Sequence, residues 1–177
     1  MSQVKPSTLE EILRALEQVR AEVATYFSGL PGDVFFEGND ERWSPGHHLK
    51  HLVLSNTPVA YALALPHEKL KTWNTNQPRR PYTEIRASYH AALTKGVRAS
   101  GRFLPQAQST QPEAVAEYNG SVELLNHDCL VWEESELDQY AVPHPVLGLL
   151  SMREMLFFTV YHNQHHLNGV QAGLERL

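Results

Sequence analysis

Residues 144–170 read HPVLGLLSMREMLFFTVYHNQHHLNGV, and this stretch decides the fold class. Pro145 and Gly148, with Pro143 just before them, hold the chain in a turn, because proline removes an amide donor and fixes φ. Ser151-Met152-Arg153-Glu154 follows as a capping box: hydroxyl and carboxylate satisfy backbone amides that have no partner inside a helix. The helix opened there is expected to run to about residue 174. On its wheel Met155, Phe158, His162, His166, Gly169 and Gly173 fall within about 60° of one direction. Two histidines therefore occupy an inward face, where an unpaired imidazole is costly. Gly169, one turn beyond His166, is expected to let another helix approach closely.

Imidazoles four residues apart share a helix face and can bind one transition metal at roughly 2.0–2.1 Å per nitrogen. The plainer reading is a pair of core histidines bonded to carbonyls or to each other. A third imidazole changes the weighting. Ser44-Pro45 opens another helix, with serine as cap and proline where its missing amide costs nothing. In that helix His51 can face inward beside Leu52 and Ser55, and His48, three residues earlier, is the substitute. Two donors from one helix and one from another would leave a coordination position for water, which points to chemistry rather than a structural staple. His47, beside the cap, is expected in solvent. His165, displaced by about 100° from His166, is expected at the surface or supporting the ligands. His67, His90, His127 and His144 have no partner at ligand spacing and receive no role; His144 belongs to the turn.

The other segments read as helices too. Ser7-Thr8-Leu9-Glu10 is a capping box, after which Leu9, Ile12, Leu13, Leu16, Val19, Val23 and Phe27 recur at helical spacing. Gly29, Pro31 and Gly32 end that helix, and residues 31–42 read as a loop. The second helix is expected to reach about residue 57, with Pro58 kinking rather than ending it. Residues 66–81 read as irregular, 82–104 as a helix weakened by Gly96 and Gly101, and 105–111 as a polar connection. A further helical stretch covers about 113–136, where Gly120 is a dividing point. No alternating β-branched run competes, so the expectation is an all-α bundle, residues 1–177 forming one domain.

Composition narrows the function classes. The chain has 177 residues, 42% hydrophobic and 20% charged, which is ordinary globular usage. Its net charge of −5 gives no basic face for nucleic acid. One cysteine, Cys129, permits neither an internal disulfide nor a cysteine-rich metal site and reads as core packing. The N-terminus lacks the apolar run of a signal peptide, and no stretch reaches the ~18 apolar residues of a membrane span. The expectation is a cytoplasmic protein with no membrane or nucleic-acid partner.

The Trp43-Ser44 start of the second helix with Leu49-Lys50-His51-Leu52, and the segment 144–170 with its H-x-x-x-H, resemble the DinB-like superfamily, also called YfiT-like. That resemblance spans nearly the whole chain. It implies a four-helix core in up-down-down-up order, with residues 62–111 as a long connection carrying the extra helix at 82–104. It maps a metal-binding triad onto His51, His162 and His166, and it implies one divalent transition metal, with zinc the default and nickel the other choice. The activities it implies are metal-dependent hydrolysis and transfer or isomerisation with a low-molecular-weight thiol such as bacillithiol or mycothiol, on a small-molecule substrate. It also implies a homodimer. The other class is a metal- or ligand-binding bundle without catalysis, serving as a dimeric interaction module. A zincin-type general base is absent, since Asn163 follows His162 where H-E-x-x-H has glutamate. Tyr161, Asn163 and His165 flank the ligands, Glu154 is assigned to its capping box, Trp43 to packing at the bundle's end, and Arg79-Arg80 to a solvated loop.

Overall fold

The computed structural model of the protein describes residues 5–39, 42–72, 78–106 and 110–175. Parts of the expected irregular stretch 66–81 and of the connection 105–111 lie outside the described residues. Four long helices carry the core: α1 (Leu9–Ser28), α3 (Pro45–Leu63), α5 (Gln111–Cys129) and α6 (Met152–Leu174). Between them stand a one-turn helix α2 (Gly32–Phe36) and the connection helix α4 (Tyr82–Thr94). No helix among the described residues is long and apolar enough to cross a membrane.

Each of α1 and α3 packs against both α5 and α6. The pair directions follow from cross-links. The Arg153 guanidinium donates to the Ser7 carbonyl at 2.8 Å, so α1 and α6 start together. Gln111, opening α5, donates to the Phe27 carbonyl near the end of α1 at 2.6 Å, so these two run antiparallel. Lys50 reaches Glu117 at 2.6 Å and Trp132 donates to the Leu63 carbonyl at 3.0 Å, which sets α3 and α5 parallel. His48 meets His166 and His51 meets His162, which sets α3 and α6 antiparallel. Ile12, Leu16, Leu49, Leu52, Tyr118, Leu125 and Leu156, all fully buried, fill the space between the helices.

The local signals hold with shifts that have physical reasons. At α1 the cap is Thr8, one residue beyond the expected Ser7, and its box partner is Glu11 rather than Glu10. The Glu11 carboxylate thereby accepts from both the Ser7 and Thr8 amides, at 2.8 and 3.2 Å. Helix α3 passes through Pro58 to Leu63. Val59, Ala60 and Leu63 beyond the proline are buried, and their packing outweighs its lost donor. Helix α4 stops at Thr94, ten residues short of expectation. Gly96 takes φ +87°, and the amides of Gly96 and Val97 bond back to Leu93 and Ala92 in a Schellman closure. Gly120 does not divide α5, which ends at Cys129. The expected loop at 31–42 contains α2.

The all-α expectation needs correction, because the molecule is mostly helical with a small antiparallel sheet. Strands β1 (Lys71–Thr72), β2 (Tyr140–His144) and β3 (Gly148–Ser151) lie in that order. Their register pairs Lys71 with Ala141, and Ala141, Val142, Pro143 and His144 with Ser151, Leu150, Leu149 and Gly148. The Pro-Gly segment is thus a hairpin rather than a bare turn. Gly148 sits at φ +76°, and the His144 Nδ1 accepts from the Val146 and Leu147 amides at 3.1 and 3.0 Å. Strands of two to five residues, one of them with proline inside, carry too little alternation to be read locally; the pairing with residues 71–72 is long-range. Gly169 is also corrected. Helix α3 begins opposite His166, so the α6 face beyond it runs out into solvent, and a Cβ on Gly169 would meet nothing within 4 Å.

Candidate metal centre

The serine cap of α3 decides where its histidines point. Ser44 accepts from the His47 amide at 3.1 Å, and His47 returns the contact, its Nδ1 lying 3.3 Å from the Ser44 amide. His47 is therefore half-buried in a capping box, not in solvent as its position suggested. One turn on, His51 is buried and sends its Nδ1 to the Phe103 carbonyl at 2.8 Å. That carbonyl can only accept, so Nδ1 holds the proton and the Nε2 lone pair is free to donate to a cation. Phe103 belongs to a 3-10 turn (Gly101–Phe103) of the long connection, which sequence alone did not connect to the site.

From α6 come His162 and His166, spaced by one turn. The His51 and His162 Nε2 atoms stand 3.3 Å apart, and those of His162 and His166 stand 3.1 Å apart. Three nitrogens bound tetrahedrally at 2.0–2.1 Å would be separated by about 3.3 Å. Ligand atoms of all three residues lie within 4.8 Å of one another, and the group could hold a metal ion. The donor set is purely imidazole, which suits zinc, nickel, copper or iron and does not suit calcium or magnesium.

Electrostatics keeps the rings neutral. Burial, followed by the neighbouring imidazoles, holds His162 and His166 well below the ordinary histidine range. Burial lowers His51 as well, against a smaller opposing pull from the Phe103 carbonyl. Neutral imidazole is the ligating form.

His48 is a fourth member, beside the triad rather than in place of His51. Its Nδ1 lies 2.8 Å from His166 Nδ1, and burial pushes its pKa down to about 4. If His166 presents Nε2 to the centre, its Nδ1 carries the proton and donates to His48. Trp43, expected as packing at the bundle's end, covers the cluster, stacked on His166 at 6.4 Å and tilted over His51 at 5.1 Å, and it also lines the adjoining cavity. Phe158 stacks on His162 at 5.0 Å from the other side. His165 is half-buried, edge-on to Tyr89 at 6.1 Å. Asn163 points elsewhere: it donates to Asn56 at 3.0 Å and to the Thr159 carbonyl at 2.8 Å, a buried link between α3 and α6.

The triad opens on a cavity of about 970 Å³, walled by residues of α3, α4, α6, β2 and the long connection. Cys129 does not line it; its thiol is buried in the core and pushed up to about 12. Nor is Arg79-Arg80 a solvated pair. Arg80 forks onto Glu154 at 2.9 and 2.8 Å, and Arg79, though exposed, reaches Asp138 at 3.3 Å. Glu154 keeps its place in the capping box and anchors the long connection as well.

A sequence model described as the DinB superfamily matches residues 8–169. No curated protein and no solved structure matches the chain at a significant level.

Proposed function

The chain belongs to the DinB superfamily, which includes metal-dependent enzymes, and from that premise we propose that it is a metal-dependent enzyme acting on a small molecule. The observation that carries this reading is the convergence of three buried imidazoles at the wall of a roomy cavity. His51, His162 and His166 would hold one divalent ion, zinc by default and nickel as the other choice. When bound, such an ion supplies Lewis acidity to a water, a thiol or a substrate oxygen.

The protein's own groups do the rest. The Phe103 carbonyl fixes the tautomer and plane of His51, and His48, when it accepts at Nδ1, would hold His166 with Nε2 towards the centre. Trp43 and Phe158 close two sides of the cluster against water. Hydrolysis needs a base to take a proton from the attacking water. No carboxylate lines the cavity among the described residues, so the base for hydrolysis would be a lining histidine, His144 or His165. The other form of the reading is transfer involving a low-molecular-weight thiol. In that form the thiol itself is the nucleophile and the pocket has only to seat the electrophile.

The same reading takes the chain as one cytoplasmic domain with the up-down-down-up order, which the parallel and antiparallel pairings above support, and as a homodimer, which light scattering tests. Metal content of the purified protein tests the centre. About one ion per chain is expected, with His51→Ala and His162→Ala well below it; full retention by both variants overturns the reading. Incubating the loaded protein with an electrophile and a panel of thiols then separates transfer from hydrolysis. Absence of any metal-dependent turnover across the panel would leave a binding bundle.

A further inference from the structure

Five cationic side chains line the cavity beside the triad: Arg42, Lys69, Lys71, Arg98 and Arg102. They are a third of the chain's 15 Lys and Arg, gathered on one concavity of a protein whose net charge is −5. None of the 20 Asp and Glu lines it among the described residues. Arg42 has a carboxylate elsewhere, Glu37 at 3.6 Å. Lys69, Lys71, Arg98 and Arg102 make no ion pair among the described residues; Arg98 bonds only its neighbour's carbonyl, and Arg102 lies over the Phe103 ring at 5.1 Å.

Like charges around one concave space raise its potential towards anions, and because these side chains reach solvent, salt screens it. The walls here are apolar, with Val59, Leu93, Val97, Met155 and Phe158 among them. All four unpaired cations come from the long connection between α3 and α5, the segment that roofs the triad. Its Phe103 carbonyl holds His51, so roof and centre form one site. A cavity of this volume matches the upper range for small-molecule sites.

We propose that the cavity selects a small amphiphile: an apolar body against Val59, Leu93 and Phe158, with an acidic group, carboxylate or phosphate, answered by Lys69, Lys71, Arg98 and Arg102. The inference deepens the reading of the same site by naming the chemical class of its substrate.

Calorimetric titration with four probes of equal chain length tests it: decanoate, decyl phosphate, decanol and decylammonium. Decanoate or decyl phosphate should bind roughly tenfold more tightly than decanol, and decylammonium should bind weakest. Which anion binds better distinguishes a carboxylic acid from a phosphate ester as the natural chemistry. The preference should shrink at high salt and vanish in a variant combining K69Q, K71Q, R98Q and R102Q that still takes up decanol. All four side chains are exposed. Should the combined variant fail to fold, K71Q and R98Q singly should each weaken decanoate binding with decanol binding unchanged. Equal affinity for decanoate and decanol in the wild type, or an anion preference that survives these substitutions, would overturn the proposal. Repeating the titrations on metal-free His162→Ala separates the two readings, because the charge preference belongs to the roof and should persist there even if no metal is bound.

Discussion

His48 and His166 meet through their Nδ1 atoms at 2.8 Å, a contact that can exist only if one ring donates and the other accepts. If His166 holds the proposed ion, removing His48 would loosen that ligand without deleting one. His48→Leu should weaken zinc binding roughly tenfold to a hundredfold in competition with a chromophoric chelator. His48→Gln, whose amide oxygen can still accept, should recover part of that loss; equal weakening by both would reduce His48 to packing. His144 makes a different residue-level case. Burial holds it at about 4, against an ordinary value of 6.5, so the folded chain keeps it neutral where the unfolded chain protonates it. Stability must then fall as pH drops through that window and level off below it, by at most about 3 kcal/mol. Denaturant midpoints at neutral pH and near the lower end, measured in chelator, should show a smaller drop for His144→Asn than for the wild type. These roles were only half legible. The i,i+4 spacing of His162 and His166 is written in the sequence, and so is the inward phase of His51. That His48 supports His166, and that His144 accepts two amides inside a hairpin, depends on contacts between distant segments.

Helix α6 is pinned at its first turn by ions as well as by its cap. The Arg153 guanidinium, almost fully buried, donates to Asp138 at 2.8 to 3.0 Å, to the Glu134 carbonyl at 2.7 Å and to the Ser7 carbonyl at 2.8 Å. One side chain thereby ties α6 to the start of α1 and to the segment before β2. Deleting Arg153 leaves the buried Asp138 carboxylate with only the exposed Arg79 at 3.3 Å, so Arg153→Met should cost about 3 kcal/mol in denaturant unfolding. Arg153→Met with Asp138→Leu should recover at least half of that; no recovery would mean the network, rather than the stranded carboxylate, sets the cost. The sequence announced the capping box at Ser151 and Glu154 because that signal is local. The chain offered no comparable sign that Arg80 would fork onto Glu154, or that residues 71–72 would extend the hairpin. The short strand β1 finds its partner dozens of residues away, and a periodicity of two cannot develop over strands this short.

At the scale of the whole molecule the centre joins α3 to α6, the two helices that bring His51 to His162. A ligand that binds only the folded form stabilises it by mass action. Thermal unfolding should therefore move upward with added zinc, by about 2.7 kcal/mol of stability at a hundredfold excess over Kd. His162→Ala should show no such dependence, and a flat response in the wild type would remove the link between centre and fold. The helical class and the convergence of His51, His162 and His166 were within reach of sequence because amphipathic periodicity and the family pattern agree on them. The cationic roof was not, since its four side chains are scattered along the connection, outside its helix α4, and come to line one cavity only in the folded chain.

The two halves of this lock lie 111 positions apart along the polypeptide. A growing chain that has made only its first half owns a single imidazole of the set, and an isolated last helix owns a pair held by nothing but its own turn. An ion held by all three rings would therefore favour only chains in which both stretches have already met, and trimming the final helix would abolish such capture outright while leaving residue 51 untouched.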